Sequence, residues 1–327
     1  MHTKIRQSVQ FLFLAFSVFV GVRFYIFYTY YNNGGEGIYF GRPHSVEAFL
    51  PISALVGVKS WFSNGIFDTI HPAGVILLLT FIVISFLFRK AFCSWICPFG
   101  WISEKLAFLA NKTIKKQWEL PRWLDIPLRS IKYLILGFFV WTIFFQMNGM
   151  VAYMFLNSDY NKVSDVKMLM FLLDMSKNTL IGFLIIIAST FYIKNFWCRY
   201  LCPYGALMGI FGWFSPSVIA RNADHCIDCG KCNKVCMNRL DIMNKKEVYS
   251  PECTSCMACI DACPKQEALQ YQFVSNQNSF KRWALPVSIL GIYFGVMFTA
   301  IVLGFWQTEL DHEVYLRLIP YINSISH

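Results

Sequence analysis

The chain has 327 residues, of which 56% are hydrophobic and 18% aromatic, and only 15% are charged. A soluble domain carries about one quarter charged residues, so this composition and the mean hydropathy of +0.45 exclude an ordinary soluble globular protein. The net charge of +10 suggests nucleic acid at first sight, but the basic residues are placed as a membrane-orientation signal, and no nucleic-acid partner is expected.

In chain order, Lys4 and Arg6 precede an apolar run from Val9 to Tyr28, long enough to span a bilayer of about 20 residues' thickness. No small-residue cleavage site follows, so a retained first helix is expected, with Tyr25, Tyr28, Tyr30 and Tyr31 as an aromatic belt. Residues 32–71 form a polar connection. Gly35, Gly37 and Gly41 miss the dinucleotide-loop spacing by one residue and read as a turn. Val46–Val58 is apolar enough to lie on the membrane surface. Pro72–Phe88 is the second span, followed by Cys93-Ser-Trp-Ile-Cys97-Pro98 and an interfacial helix over Gly100–Asn111.

Ile131–Val151 is the third span, Tyr153–Asn178 a surface-bound stretch, and Thr179–Ile193 the fourth span, leading into Cys198-Arg-Tyr-Leu-Cys202-Pro203. A fifth span over Leu285–Phe305 precedes a short acidic tail. The expected architecture is therefore a membrane α-helical protein with about five transmembrane helices. It divides into a membrane domain over 1–214, an α+β bacterial-type ferredoxin domain over 215–280, and the fifth span with its tail over 281–327.

The ferredoxin assignment rests on two complete C-x2-C-x2-C-x3-C runs, Cys226, Cys229, Cys232, Cys236 and Cys253, Cys256, Cys259, Cys263. This is the bacterial pattern for two cubane [4Fe–4S] clusters, in which the fourth cysteine of each run serves the other cluster. Cys226, Cys229, Cys232 and Cys263 are expected to hold one, and Cys253, Cys256, Cys259 and Cys236 the other. Each fourth cysteine is expected to open a helix that leads away. Met237 replaces the usual proline after Cys236, whereas Pro264 follows Cys263, so the first helix start is expected to differ. A zinc site with two separated C-x2-C pairs fits this pattern less well.

Of the 12 cysteines, the four outside these runs are Cys93, Cys97, Cys198 and Cys202. Phe88–Gly100 aligns with Ile193–Gly205 without a gap, and each copy closes a pair of spans, so the membrane part reads as a two-helix unit used twice. Repeats in the same direction are related by an axis along the membrane normal, which brings both C-x3-C-P segments to one depth. Cysteines at i and i+4 share a helical face, and the following proline ends the helix at the second cysteine. Two thiolates are too few for a closed site and four suffice. A third iron–sulfur cluster or a metal ion is expected here, its kind left open by the thiolate count.

Lysines and arginines cluster on one side. They include Arg89, Lys90, Lys105, Lys112, Lys115, Lys116, Arg122, Arg129 and Lys132 between spans two and three, and Lys194 through Arg282 around the ferredoxin runs. The positive-inside rule then places the N-terminus and the clusters in the cytoplasm and the C-terminus outside. Among the histidines, His2, His44, His71, His225, His312 and His327, none falls in mid-membrane, which argues against haem ligation within the spans. His44 and His71 read as interfacial hydrogen-bonding residues. Arg23 lies within the first span; an intramembrane arginine is a functional hypothesis by default, set against snorkelling to the interface. Arg23, with Glu47 as its expected partner, is the candidate quinone site.

Paired membrane C-x3-C-P motifs joined to a tandem ferredoxin run resemble the NapH/NosR/CcoG-type membrane polyferredoxins over Val75–Pro264. The resemblance implies electron transfer at the bacterial cytoplasmic (inner) membrane, with quinone or quinol and a redox partner subunit. The NosR branch carries a flavin domain before the first span and the CcoG branch a sandwich domain after the last. The layout here is closest to the quinol-linked NapH branch. A redox sensor, or a maturation or regulatory factor that includes metal reduction, is the alternative from another class.

Overall fold

The structure is a computed structural model that describes residues 2–114, 117–265, 267–274, 276–281 and 283–325. Lys115, Lys116, Arg282 and His327 lie outside the described residues. Two compact units are formed, one from residues 1–15, 81–136 and 182–293, the other from 16–80, 137–181 and 294–327.

Three helices are long and apolar enough to cross a membrane: His2–Asn32, Arg122–Gln146 and Ala284–Val302. A fourth crossing follows if Ser164–Leu173 and Lys177–Tyr192, bent by 80°, are taken as one span. Pro72–Phe88 is shorter, at 17 residues. Its length at ~1.5 Å per residue falls short of the ~30 Å hydrocarbon core. It is apolar all round because it is enclosed by protein, with Val75, Leu77, Leu78 and Ile84 fully buried.

Several boundaries differ from expectation. The third span begins at Arg122, not Ile131, because its charged residues find partners: Asp125 meets Arg129 and Arg199, and Lys132 meets Glu252. It stops at Gln146 instead of reaching Val151, since the Asn148 side chain accepts from the Val151 amide and caps a new helix, Gly149–Leu156.

Of the two stretches expected on the membrane surface, Val46–Val58 is largely enclosed, whereas Tyr153–Asn178 is enclosed only in part, with residues 171–178 exposed. In the second unit, Val56 of helix Pro51–Asn64 packs with Ile143, Ala152 and Leu156. Val163 and Val166 join Val20, Phe24, Phe27, Tyr31, Tyr315 and Ile319 in one core. Apolar area gains more by meeting protein than the sequence pattern alone reveals. The tail residues His312–Leu318 form a helix that buries Tyr315 and Leu318 in that core.

The first unit carries the β structure. Strands β1 (Ser217–Arg221), β2 (Leu269–Phe273) and β3 (Asn276–Ser279) form an antiparallel sheet in that order. Ser217 faces Phe273 and Arg221 faces Leu269. The two cysteine runs lie between β1 and β2. Each has one short helix, Lys231–Val235 or Ala258–Ala262, between its third and fourth cysteines.

Candidate iron–sulfur sites

In each ferredoxin run, left-handed residues flank the middle cysteine: Asp228 (φ 49°) and Gly230 (φ 67°) around Cys229, Ser255 (φ 47°) and Met257 (φ 59°) around Cys256. Such reversals fold a short loop tightly and turn backbone amides into a concavity suited to an anion. The fourth cysteine ends the short helix and does not open one. Cys236 (φ −65°, ψ 119°) and Cys263 (φ −73°, ψ 124°) are both extended. Pro264 enforces this at Cys263. Met237 leaves Cys236 in the same conformation, so the absent proline does not alter the backbone there.

The fourth cysteines cross over. One cavity is lined by Cys236, Cys253, Cys256 and Cys259 with Ile219, Leu240, Ile242, Val248, Met257 and Glu252. A second is lined by Cys226, Cys229, Cys232 and Cys263 with Ile227, Met243, Leu269, Arg221 and Lys265. Each is a four-thiol chamber with largely apolar walls, and this donor set fits a cubane. Among the described residues, no three His, Cys, Asp or Glu side chains converge on the position of a single metal ion. Burial pushes the Cys253 thiol up to about 11 and Cys259 well above its ordinary value, so loading with iron must displace protons.

The membrane cysteines are built alike in both copies. A left-handed residue, Arg89 or Asn195, turns the chain after the preceding helix. A short helical segment follows: α-helical over Ala91–Trp95, π-helical over Trp197–Leu201. The second cysteine is extended and N-caps the next helix, with proline at its first position: Cys97 before Pro98–Thr113, Cys202 before Pro203–Trp213. The Gly205 amide donates to Cys202 Sγ at 3.3 Å. A helix N-terminus favours negative charge, so these caps suit thiolates.

All four membrane cysteines come together. Burial pushes Cys93 up to about 11 and Cys97 to about 12, and Cys202 acts electrostatically on both. Cys198 is raised by burial and then by Cys202, Cys97 and Cys93. The four thiols are half-buried and lie within electrostatic reach of one another.

The middle residues of the first copy reach the ferredoxin loop. Lys90 N–H donates to Cys253 O (3.3 Å), Ser94 Oγ to Thr254 O (2.5 Å) and Trp95 Nε1 to Ser255 O (3.1 Å). In the second copy, Arg199 and Tyr200 bind the two oxygens of Asp125 at 2.8 and 2.5 Å. Arg6, at the start of the first helix, is buried in a bidentate pair with Glu104 (2.6 Å each) and donates to Ser94 O. The Thr3 amide and hydroxyl donate to Asp261, between Cys259 and Cys263.

The quinone candidates are not brought together. Arg23 donates to Gly41 O at 3.0 Å, with its guanidinium 6.0 Å from the Phe40 ring centre. Glu47 instead pairs with Arg42 at 2.6 Å and accepts from the Gly74 amide. Arg42 also binds Asp165 at 2.7 Å and reaches His71 Nδ1 at 3.0 Å. Burial pushes Glu47 up, but Arg42, His71 and the Gly74 amide together hold it below its usual value. His71 is fully buried and hydrogen-bonds to Arg42 and the Asn161 carbonyl. Sequence reasoning missed Arg42 and Asp165. A basic residue beside a Pro–His pair ahead of an apolar run was the available signal.

Against this geometry the comparisons are informative. A family described as a 4Fe-4S binding domain matches residues 70–117 and 178–220, thereby covering both C-x3-C-P segments. A 4Fe-4S dicluster domain matches 218–264. YccM of Escherichia coli, whose name assigns it to electron transport, is 41% identical over 99% of this chain and 92% of its own length. The ferredoxin-type protein NapH of E. coli is 27% identical over 59% of this chain and 67% of its own. The regulatory protein NosR of Pseudomonas aeruginosa is 27% identical over 57% of this chain and 25% of its own. No solved structure matches. The chain belongs to the membrane-associated 4Fe-4S ferredoxin-type electron-transfer proteins that include YccM and NapH. It is a multi-span, α-helical membrane iron–sulfur protein with a small β-containing C-terminal region.

Proposed function

We propose that this protein carries electrons between the quinone pool and a redox partner subunit at the bacterial cytoplasmic membrane, using three iron–sulfur centres. Cys226, Cys229, Cys232 and Cys263 hold one cubane, Cys236, Cys253, Cys256 and Cys259 the second, and Cys93, Cys97, Cys198 and Cys202 a third centre. When bound, such clusters exchange single electrons at potentials set by their surroundings. The chain's residues hold them, exclude water and fix their order.

The observation that carries this reading is the seam between the first membrane cysteine segment and the Cys253–Cys256 loop. Three hydrogen bonds tie residues flanking Cys93 to carbonyls at the second cubane's loop. A rigid, protein-filled junction of that kind is what an electron path requires, whereas thiols serving only as packing need no such seam. The family match over both C-x3-C-P segments supports the third centre.

The test counts iron and acid-labile sulfide in anaerobically purified protein and in Cys93→Ser and Cys198→Ser variants. Each variant should lose the same spectroscopic species while the ferredoxin cubanes persist. Unchanged iron in both would remove the third centre. Quinol-dependent cluster reduction in lipid tests the function. Its absence, with quinone reduction by reduced clusters also absent, favours the sensor or regulatory reading suggested by the likeness to NosR. For the quinone, Arg23→Gln should abolish quinol-dependent reduction and leave chemical reduction intact, whereas Glu47→Gln, which breaks the buried pair with Arg42, should act through stability.

Five spans, with Pro72–Phe88 and Lys177–Tyr192 counted as short crossings, put the N-terminus and ferredoxin part in the cytoplasm and the C-terminus outside. The contact of Thr3 with Asp261 supports a shared side for the first two. A C-terminal reporter active only in the cytoplasm would reject this topology.

A further inference from the structure

Between the membrane cysteines and the second ferredoxin chamber lies a buried charge cluster that no step above uses. Glu252 receives Lys132 Nζ at 2.6 and 2.7 Å on its two oxygens, Lys90 Nζ at 3.1 Å and Tyr133 Oη at 3.0 Å. The Lys132 side chain is 0% exposed, Lys90 4% and Glu252 5%. Glu252 also lines the chamber of Cys236, Cys253, Cys256 and Cys259. Both lysines act electrostatically on Cys93 and Cys202.

The charges do not balance within the cluster. Two ammonium groups face one carboxylate, which leaves one positive charge over in a dry site. The neighbouring Arg89 is fully buried and acts electrostatically on Cys253. It is held by the Ser217 and Gly212 carbonyls and stacks on Tyr249, and one of its terminal nitrogens has no hydrogen-bond partner among the described residues. Uncompensated buried charge is strongly destabilising, so this surplus requires a nearby anion. A cubane ligated by four thiolates is anionic in both its oxidised and reduced states, and the cysteines are the groups these cations approach.

We propose that Lys90 and Lys132, held in place by Glu252, are positioning residues that set the reduction potential of the centre at Cys93, Cys97, Cys198 and Cys202. The inference rests on the reading that these cysteines hold a cluster. The surplus charge stabilises the added electron and so raises the potential. Glu252 also lines the adjacent chamber, where its own negative charge faces the second cubane.

The test is a spectroscopically monitored redox titration of the full chain with its clusters, preceded by an iron count. Lys132→Gln and Lys90→Gln should each lower the midpoint of the third species. Glu252→Gln, which leaves two ammoniums uncompensated, should raise it. The expected size is on the order of tenfold in the oxidised-to-reduced ratio, ~59 mV for a one-electron couple. Lys105→Gln, whose ammonium lies 5.4 Å from the Trp101 ring centre, should leave the midpoint unchanged. A purely structural role would move the Lys132 and Glu252 variants in the same direction or not at all, and either result overturns the proposal. If Lys132→Gln does not assemble, Lys90→Gln carries the same sign. A wild-type iron count without a third species would overturn the cluster reading first and this inference with it; a third species with unmoved midpoints overturns this inference alone.

Discussion

The two C-x3-C-P segments share a spacing and a backbone plan, yet they are anchored to different things. In the first, Ser94 and Trp95 donate to carbonyls of the Cys253–Cys256 loop. In the second, Arg199 and Tyr200 clasp Asp125 on the long helix that begins at Arg122. The cysteines and the proline govern where the sulfurs sit, and the three residues between the cysteines govern what each segment grips. Between its cysteines, one copy meets the Cys253–Cys256 loop through neutral hydrogen bonds and the other clasps a long helix through a buried ion pair; the second copy reaches the ferredoxin part through the preceding Lys194 and Asn195.

That contrast can be broken at its strongest point first. Asp125→Ala leaves Arg199 buried without its carboxylate and should cost ~3–5 kcal/mol, read as a fall in thermal stability of the detergent-solubilised protein. Replacing Asp125 and Arg199 together by apolar residues should recover most of that loss. If the single variant loses less than ~1 kcal/mol, the second segment is not held by this pair.

Next come the two glycines. A Cβ at Gly100 would lie 2.1 Å from the Cys93 carbonyl oxygen, whereas at Gly205 the nearest atom is the Cys198 carbonyl oxygen at 3.6 Å. Gly100→Ala forces backbone to move at the first segment and should cost ~1–3 kcal/mol, with loss of the third spectroscopic species. Gly205→Ala should stay within ~0.5 kcal/mol. Equal effects would mean that the two copies are packed alike.

A smaller effect is expected from Trp95→Phe. It removes the hydrogen bond to Ser255 O while keeping an aromatic ring, and should cost ~1 kcal/mol. Electron equilibration between the third centre and the second cubane, followed by rapid-mixing spectroscopy, should slow, whereas Tyr200→Phe should leave it unchanged.

The smallest effect is that of pH. Burial pushes Glu252 up, but Lys90 and Lys132 outweigh it and hold the carboxyl down at about 2. A depressed folded value means the stabilisation is complete above the ordinary carboxylate value of ~4.3 and is lost as pH falls through about 2. Denaturant unfolding should therefore show no loss from this group between neutrality and ~4.3, and a progressive loss from there down to about 2.

Much of the candidate site was legible because the chemistry is written in short-range spacing. Three cysteines two residues apart, and two cysteines either side of three residues, fix local geometry through the backbone alone. The helix stop at Cys97 and Cys202 followed from the prolines, and the long apolar runs followed from bilayer thickness. The misread helix at the fourth ferredoxin cysteine shows the limit of pattern matching: the helix lies before Cys236 and Cys263, not after them.

What the sequence by itself determined, then, is which cysteines fall in which spacing pattern, the membrane class and the family. What only the tertiary structure decided is which charge meets which. Glu47 pairs with Arg42 and not with Arg23, Lys132 and Lys90 share Glu252, and Asp125 binds Arg199. Apart from Arg42 and Glu47, these partners are far apart along the chain, and no periodicity announces them. The physical reason is that an ion pair gains its strength from burial, and burial is a property of the folded surroundings, not of the residue.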